Sequence, residues 1–391
     1  MSTNKFKQLR TVFDITTAMV WERATNARPK APPAIPATFE AITPQWLTAA
    51  LCTRVPGAKV ESHDLLGGSS GSTSRRFIAL HYNKAGESAG LPNQVFAKST
   101  LTFTQRMTAA LSMNAMKESR FFNEIRPEFD IESTEAYFSG YQLPSQRSMI
   151  LMKVRDECIY TNPTHYISRS QAEDMIRLLA KLHGTYWQTP RFETDLAWLQ
   201  PTYAYHVMLA ELGFEERCNI GDERAKGVFA QTVYNRKQDI FPALWRSLEL
   251  AEKGPQTVIH NDVHIGNWYK TPGGRMGLCD WQALGRGSYG TDLAYAISSA
   301  LTVEDRRDWE EDLIKLYIEE ISKTGHYGLP DFEQAWLTYR QQLFHALIFW
   351  TFTIGAGAMQ ADMQPDEHSL INIERMTHAI ADHDSFSLLG L

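Results

Sequence analysis

Cysteine is scarce in this sequence, with four among 391 residues, at positions 52, 158, 218 and 279. No two of them form a C-x-x-C pair, which excludes a disulfide framework and a zinc ribbon and suits a reducing compartment. Positive charge is not in excess either: 39 Lys and Arg face 45 Asp and Glu, for a net charge of -6. A nonspecific grip on nucleic acid or on an anionic membrane is therefore not expected. The opening residues, MSTNKFKQLR, lack the apolar segment of a secretory leader. No apolar run reaches the roughly 20 residues that a membrane-spanning helix needs; the most apolar one, 343–359, is shorter and carries His345. There is no internal repeat. These absences predict a cytoplasmic chain with no membrane or nucleic-acid partner.

What is present reads as a globular protein, 43% hydrophobic and 21% charged, too long for one ordinary core and suited to two lobes. Residues 1–28 have the pattern of a lone helix, followed by RPKAPPAIPA (28–37), a proline-rich extended linker. Thr43-Pro44 is an N-cap with proline in the first turn and predicts a helix start. LLGGSSGSTSRRFIALHY (65–82) runs a glycine- and serine-rich turn into an alternating strand, and QVFAKST (94–100) and SMILMKV (148–154) read as further strands. Residues 104–126 read as one helix. Beyond about 155 the pattern turns helical, over 168–189, 223–252, 304–323 and 332–359, with strand character returning at 257–283. The boundaries drawn from this are an extension and linker at 1–38, a strand-rich lobe at 39–153 and a mainly helical lobe at 154–391, an α+β chain.

The chemistry concentrates in VIHNDVHIGNWY (258–269) and MGLCDW (276–281), separated by the turn sequence TPGGR. Pairing of the two runs as a hairpin brings Asp280 near Asn267, with Asp262 five residues before Asn267. Asn267 and Asp280 form a hard-oxygen pair suited to Mg²⁺, and Asp262 is then a base or orienter for an attacking hydroxyl. Two other readings stand beside this one. His260, Asp262 and His264 alternate, so on a strand they would face one side and could bind zinc, and the stretch could also be a hydrogen-bonded polar loop. In the first lobe, the small residues Gly68, Ser69, Ser70, Gly71 and Ser72 offer a backbone cover for phosphate. Lys98 lies within an apolar strand, where an amine is costly unless paired; Glu118 is its natural partner and Glu124 the competitor.

In this order, the glycine-rich turn, strand lysine, helix glutamate, LAKLHGTYW, HNDVHIGN, DWQ and GTDLAYAI resemble the protein-kinase-like superfamily. The resemblance covers residues 40–360 and is to the aminoglycoside phosphotransferase and choline-kinase-like branch, nearest the ecdysteroid-kinase-like group. It implies a bilobal kinase-like fold and an ATP- and Mg²⁺-dependent phosphotransferase. Asp262 matches the catalytic aspartate, Asn267 and Asp280 the metal ligands, Lys98 the lysine on the α- and β-phosphates and Glu118 its support. His260 matches a structural loop histidine and Asp292 an aspartate that pins the catalytic loop. His264 stands where protein kinases have a lysine near the γ-phosphate, so either a phosphate contact or packing suits it. The sequence departs from the pattern at Asn261, where small-molecule kinases commonly have glycine, and at Trp281-Gln282, which replace Phe-Gly. No peptide-docking segment follows DWQ, which argues against a protein kinase.

The acceptor is less legible. The aromatic helix region 336–359 is expected to build its pocket, and an uncharged or modestly polar alcohol with an apolar body is the expected acceptor. The late carboxylates Asp362, Asp366, Glu367, Glu374, Asp382 and Asp384 read as a solvated acidic tail rather than a site for a polycationic aminoglycoside. A nucleotide-binding pseudokinase or scaffold and an aminoglycoside-type phosphotransferase are the alternatives.

Overall fold

Alternation of side chains builds the sheet that organises the first part of the computed structural model, which describes residues 3–357 and 364–391. The chain divides into two units, Met1–Asp130 with Thr134–Asp156, and Ile131–Ser133 with Glu157–Leu391. The first unit contains α1 (Thr3–Thr25), α2 (Pro44–Leu51), β1 (Val60–Ser70), β2 (Ser74–Tyr82), α3 (Lys84–Ser88), β3 (Gln94–Ser99), α4 (Phe103–Ser112), α5 (Asn114–Arg120), β4 (Ala136–Gln142) and β5 (Arg147–Lys153). Its five strands form an antiparallel sheet in the order β1-β2-β3-β5-β4. Ile78, Leu80, Val95, Ala97, Met149 and Leu151 line one face and pack on Trp46 and Leu47 of α2. Because successive strand residues point to opposite faces, Lys98 falls on the other side of the sheet from Ala97.

Local chemistry fixes the helix ends. Thr43 caps α2 through the N–H of Trp46 at 3.1 Å, with Pro44 in the first turn. The single helix expected over 104–126 is instead broken: Met113 takes a left-handed φ of +57°, separating α4 from α5, and a π-turn follows at Phe121–Ile125. Strand β4 has no strong sequence signal, since its AYFSGYQ alternates poorly and is half-buried almost throughout. The N-terminal helix is held on the unit by buried Ile15 and by Glu22, while Leu9, Phe13, Val20 and Trp21 are exposed.

The second unit contains β6 (Ile159–Tyr160), α6 (Arg169–Thr185), α7 (Thr202–Ala210), α8 (Phe214–Arg224), α9 (Gln231–Tyr234), α10 (Ile240–Lys253), β7 (Thr257–Ile259), β8 (Trp268–Lys270), β9 (Met276–Leu278), β10 (Gly285–Gly287), α11 (Tyr289–Ala300), α12 (Val303–Ser322), α13 (Phe332–Gln341), α14 (Leu343–Ile354) and α15 (Asp366–Asp382). Helix α11 lies at the centre of this unit with all its residues buried. The long pattern read over 223–252 is not one helix: α8 ends at Arg224, the short α9 follows, and α10 begins at Ile240 with Pro242 accommodated in its first turn. The late carboxylates Asp366, Glu367, Glu374, Asp382 and Asp384 are exposed, as the solvated reading expects, but Asp366 to Asp382 belong to a packed helix rather than a tail. Asp366 and Glu367 occupy the first turn of α15, where the helix dipole favours negative charge, Ile373, Met376 and Ile380 of that helix are buried, and Asp382 pairs with Arg306 and Arg307. Asp362 and the end of the apolar run 343–359 lie outside the described residues. Among the described residues no helix is long and apolar enough to cross a membrane. The α+β class expected from the sequence is the class observed.

Candidate active site

Strand β7 delivers the chain into a loop, 260–267, whose backbone is fixed from below. Asp292, in the first turn of α11, accepts the N–H groups of His260 and Asn261, both at 2.8 Å. Asp292 also lies 3.3 Å from Nε2 of His183 on α6, whose Nδ1 is 3.0 Å from the Tyr317 hydroxyl. Burial alone would raise the Asp292 pKa, but His183, the nearby His260 and the Asn261 N–H outweigh it and hold the carboxyl below its usual range. Asn261 itself takes a left-handed φ of +68°. That conformation favours glycine and is tolerated by asparagine, which accounts for the residue type at a position where glycine is common.

After the loop, β8 and β9 pair with Trp268 opposite Leu278 and Lys270 opposite Met276, and the turn closes through Gly274 at a φ of +85°. The N–H of Cys279 donates to the Asn267 carbonyl at 2.9 Å. Asp280 is the next residue, also left-handed, with a φ of +64°, so the hairpin brings it beside Asn267. His260 spans the same junction. Its Nδ1 accepts the Asp262 N–H at 3.3 Å, its Nε2 donates to the Cys279 carbonyl at 3.0 Å, and its ring packs edge-on against Trp281. With both ring nitrogens engaged and the residue fully buried, His260 is not available as a zinc ligand, and the loop is not the strand that a His-Asp-His face requires.

Asp262 is the polar residue of this loop that opens to solvent, its side chain 31% exposed while His260, Asn261, His264 and Asn267 are buried. The Asn267 amide donates to the Asp262 carbonyl at 2.7 Å and to its carboxylate at 3.1 Å. His264 caps the short turn that follows, accepting the Gly266 N–H at 3.0 Å, and its Nε2 is 3.9 Å from the Asp262 carboxylate. Burial lowers the His264 pKa against the opposing pull of Asp262 and Asp280. Two tyrosines also sense Asp262: burial and then its charge push Tyr205 up to about 12 and Tyr295 well above the usual phenol range.

In the first unit, Lys98 Nζ lies 2.9 Å from the Glu118 carboxylate, both groups almost fully buried. Glu124 is engaged by Arg120 at 2.7 Å. The hairpin β1–β2 carries Gly68, Ser69 and Ser70 on its first strand and Gly71 and Ser72 at its tip. Gly68 has a structural reason of its own, since a Cβ there would lie 2.1 Å from the Arg75 carbonyl at a strand irregularity. The Ser70 hydroxyl accepts a bond from Gln105.

Several residues around Asp262 escaped the sequence reading. Tyr205 of α7 and Tyr295 of α11 carry no motif, and only the folded chain brings them to the loop. The same holds for His206 and His345, fully or almost fully buried, which run in series from the Thr202 carbonyl (2.9 Å) through each other (3.3 Å) to the Asn261 carbonyl (3.3 Å). Of the aromatics expected to form an acceptor pocket, Trp350 packs edge-on against His264, and Phe349 packs on His206 and His345. Tyr339 and Phe344 belong to the core, Trp336 stacks on Phe332 and Tyr339, and Phe352 stacks on Phe214.

The donor set fits Mg²⁺. With its NH₂ spent on Asp262, Asn267 has its amide oxygen for a ligand, and the Asp280 carboxylate is the second hard oxygen. Among the described residues no three His, Cys, Asp or Glu side chains gather as a metal cage. Two oxygens complete the shell of an ion that takes its other ligands from phosphate and water.

The model of the Phosphotransferase enzyme family (APH) matches residues 131–329, half of the chain. No curated protein matches it. Solved structures similar to it include the choline kinase LicA from Streptococcus pneumoniae, 14% identical over 83% of this chain and 94% of that one, with a TM-score of 0.44. The GDP complex of wild-type aminoglycoside 2'-phosphotransferase-IIIa is 10% identical over 85% and 96%, at 0.47. A spectinomycin phosphotransferase in complex with ADP and spectinomycin is 12% identical over 84% and 94%, also at 0.47.

Proposed function

Because the chain belongs to the phosphotransferase enzyme family, we propose that it transfers the γ-phosphoryl group of ATP to a hydroxyl of a small molecule. The observation that carries this reading is the state of Asp262. It is a carboxylate open to solvent on a loop whose other polar side chains are buried and whose backbone Asp292 pins at two N–H groups. In this reading the acceptor oxygen bonds to the γ-phosphorus, the bond from that phosphorus to the β-bridging oxygen breaks, and ADP leaves. Asp262 orients the attacking hydroxyl and takes its proton. Asn267 fixes the rotamer of Asp262 through its donated hydrogen bond and, with Asp280, is assigned to Mg²⁺. Bound there, the ion supplies neutralisation of phosphate charge. Lys98, held by Glu118, is assigned to the nucleotide phosphates, and the backbone N–H groups of the β1–β2 hairpin to their cover.

The groups around the loop bear on the acceptor. Tyr205, Tyr295 and His264 lie near Asp262 and Trp350 packs behind His264, so rings and neutral polar tips flank the carboxylate, which favours an alcohol with an apolar body. A mass-spectrometric screen for phosphate addition across hydroxylated metabolites and antibiotics, run with ATP and Mg²⁺, tests the proposal. One or more acceptors should gain phosphate, and Asp262→Ala should cut that turnover by roughly 10²- to 10⁴-fold. ATP binding without product from any alcohol would leave the chain a nucleotide-binding scaffold.

A further inference from the structure

The glycine-rich hairpin of the first unit has little packing of its own. Its strands meet at Ser70 opposite Ser74, and the tip closes through the Gly71 N–H to the Thr73 carbonyl at 3.0 Å. A Cβ added at Gly67 or Gly71 would meet nothing within 4 Å. What holds the tip is Gln105, in the first turn of α4. Its Nε2 donates to the Ser70 hydroxyl at 3.2 Å and to the Gly71 carbonyl at 3.0 Å. Its Oε1 accepts from the Ser74 hydroxyl at 3.2 Å and from the N–H groups of Leu101 and Thr102 at 2.9 and 3.1 Å. Capping the helix needs only the contact with Thr102. The two donors reaching back to the hairpin are additional, and the side chain is 3% exposed.

The next residue is braced in turn. Arg106, fully buried, donates two bonds of 2.7 Å to the carboxylate of Glu22 on α1, and Arg147 approaches the same carboxylate at 3.4 Å. Arg106 also donates to the Thr100 carbonyl at 3.3 Å. Bidentate pairs of this kind are the geometrically specific ones, so α1 fixes α4 at the residue adjacent to Gln105.

We propose that Gln105 is the positioning residue of the phosphate-covering hairpin, and that helix α1 braces it through the Glu22–Arg106 pair. The inference rests on the reading that this hairpin covers nucleotide phosphates. A loop of small residues that must be ordered on binding loses affinity to that ordering, and a tip tied in advance avoids the loss. The N-terminal helix thereby acquires a part in nucleotide binding although it carries no kinase motif.

Hydrogen exchange at residues 69–74 in the nucleotide-free full chain, together with calorimetric affinity for Mg-ADP, tests this. The variants are Gln105→Leu, Gln105→Glu, which keeps the capping oxygen and loses both donors, and Glu22→Gln. Trp46→Phe, on the opposite face of the sheet, controls for a general loss of stability. Both Gln105 variants should raise exchange at the tip about tenfold and weaken ADP about tenfold, as loss of one to two hydrogen bonds implies. Glu22→Gln should move both readouts in the same direction but less, and Trp46→Phe should move neither. If Gln105→Leu does not fold, Gln105→Glu carries the test. Unchanged exchange at the tip overturns the tether. Raised exchange with unaltered ADP affinity overturns the positioning role, as does an equal loss of affinity in Trp46→Phe. Wild-type protein that binds no ADP refutes the assigned function instead, and the exchange data still decide the tether.

Discussion

Asn261, between the buried His260 and the solvent-open Asp262, pays for its place in two ways. Its left-handed φ of +68° is unfavourable for a residue with a Cβ, and its Oδ1 is buried without a hydrogen-bond partner. Glycine removes both costs but adds chain entropy to the unfolded state, so Asn261→Gly should change stability by less than about 1 kcal/mol. Asn261→Ala also removes the unpartnered Oδ1 but keeps a Cβ in this conformation, and should be less stable than Asn261→Gly by about 1–2 kcal/mol. Urea unfolding of the two variants decides the matter, and an alanine variant as stable as the glycine variant would refute the strain. The histidines behind Asn261 add a second constraint. Three contacts in series, carbonyl to His206 to His345 to carbonyl, require three protons, and two neutral imidazoles supply two. The short contact, His206 Nδ1 to the Thr202 carbonyl at 2.9 Å, takes one of them. The two contacts of 3.3 Å share the other.

At the scale of elements, Asp292 joins three pieces of the second unit: the first turn of α11, the loop after β7, and His183 on α6. Asp292→Ala would leave the His260 and Asn261 N–H groups buried and unpaired, at about 1–3 kcal/mol each. The variant should therefore lose about 2–6 kcal/mol in chemical denaturation, far more than a substitution on the exposed face of α6, such as Lys181→Ala. A loss under about 1 kcal/mol would mean that the loop is not held from below. Legibility in the sequence follows the same division. The placement of Asp262, Asn267, Asp280, Lys98 and Glu118 is legible because each is bound to a local element: a loop between strands, a turn of TPGGR, a strand and a helix. Met113, which breaks α4 from α5, is not, because nothing in ALSMNAM marks a left-handed residue. Pro242 marks the start of α10 within 223–252, a boundary that the apolar period alone does not carry. The exposure of the α15 carboxylates is legible, but the helix that carries them is not, because Ile373, Met376 and Ile380 become a buried face only once α11 and α14 supply the surface to cover. Tyr205, Tyr295, His206 and His345 lie 56 residues or more from Asp262 on one side or 33 or more on the other, and no pattern in one sequence links such positions.

Across the whole molecule, acid stability is set by buried groups of opposite sign. Burial lowers His206 to about 3 and His345 to about 4 and lowers His264 as well, so these rings stay neutral in the fold after the unfolded chain has begun to take up protons near 6.5. The unfolded state then binds more protons, and stability falls as pH falls from about 6.5 towards 4. Asp222 works the other way. Burial raises it to about 7, so the folded state holds a proton that the unfolded chain has released, and its contribution falls as pH rises from 3.8 through 7. Three histidines against one aspartate leave the net slope with the histidines. Below that window burial would raise Asp292, Glu310 and Asp382, but His183, His383 and the Arg306–Arg307 pair respectively outweigh it and hold them low. Their stabilisation is complete above the ordinary carboxylate range and is lost as pH drops through their depressed values. Wild-type protein should thus lose denaturation midpoint steadily from pH 7 to 4 and more steeply below. Asp222→Asn, which removes the opposing group, should steepen the upper window, and the double variant His206→Gln/His345→Gln should flatten it. Urea melts at pH 7, 5.5 and 4 on the three proteins test this assignment, and an Asp222→Asn variant with a shallower slope than wild type would overturn it.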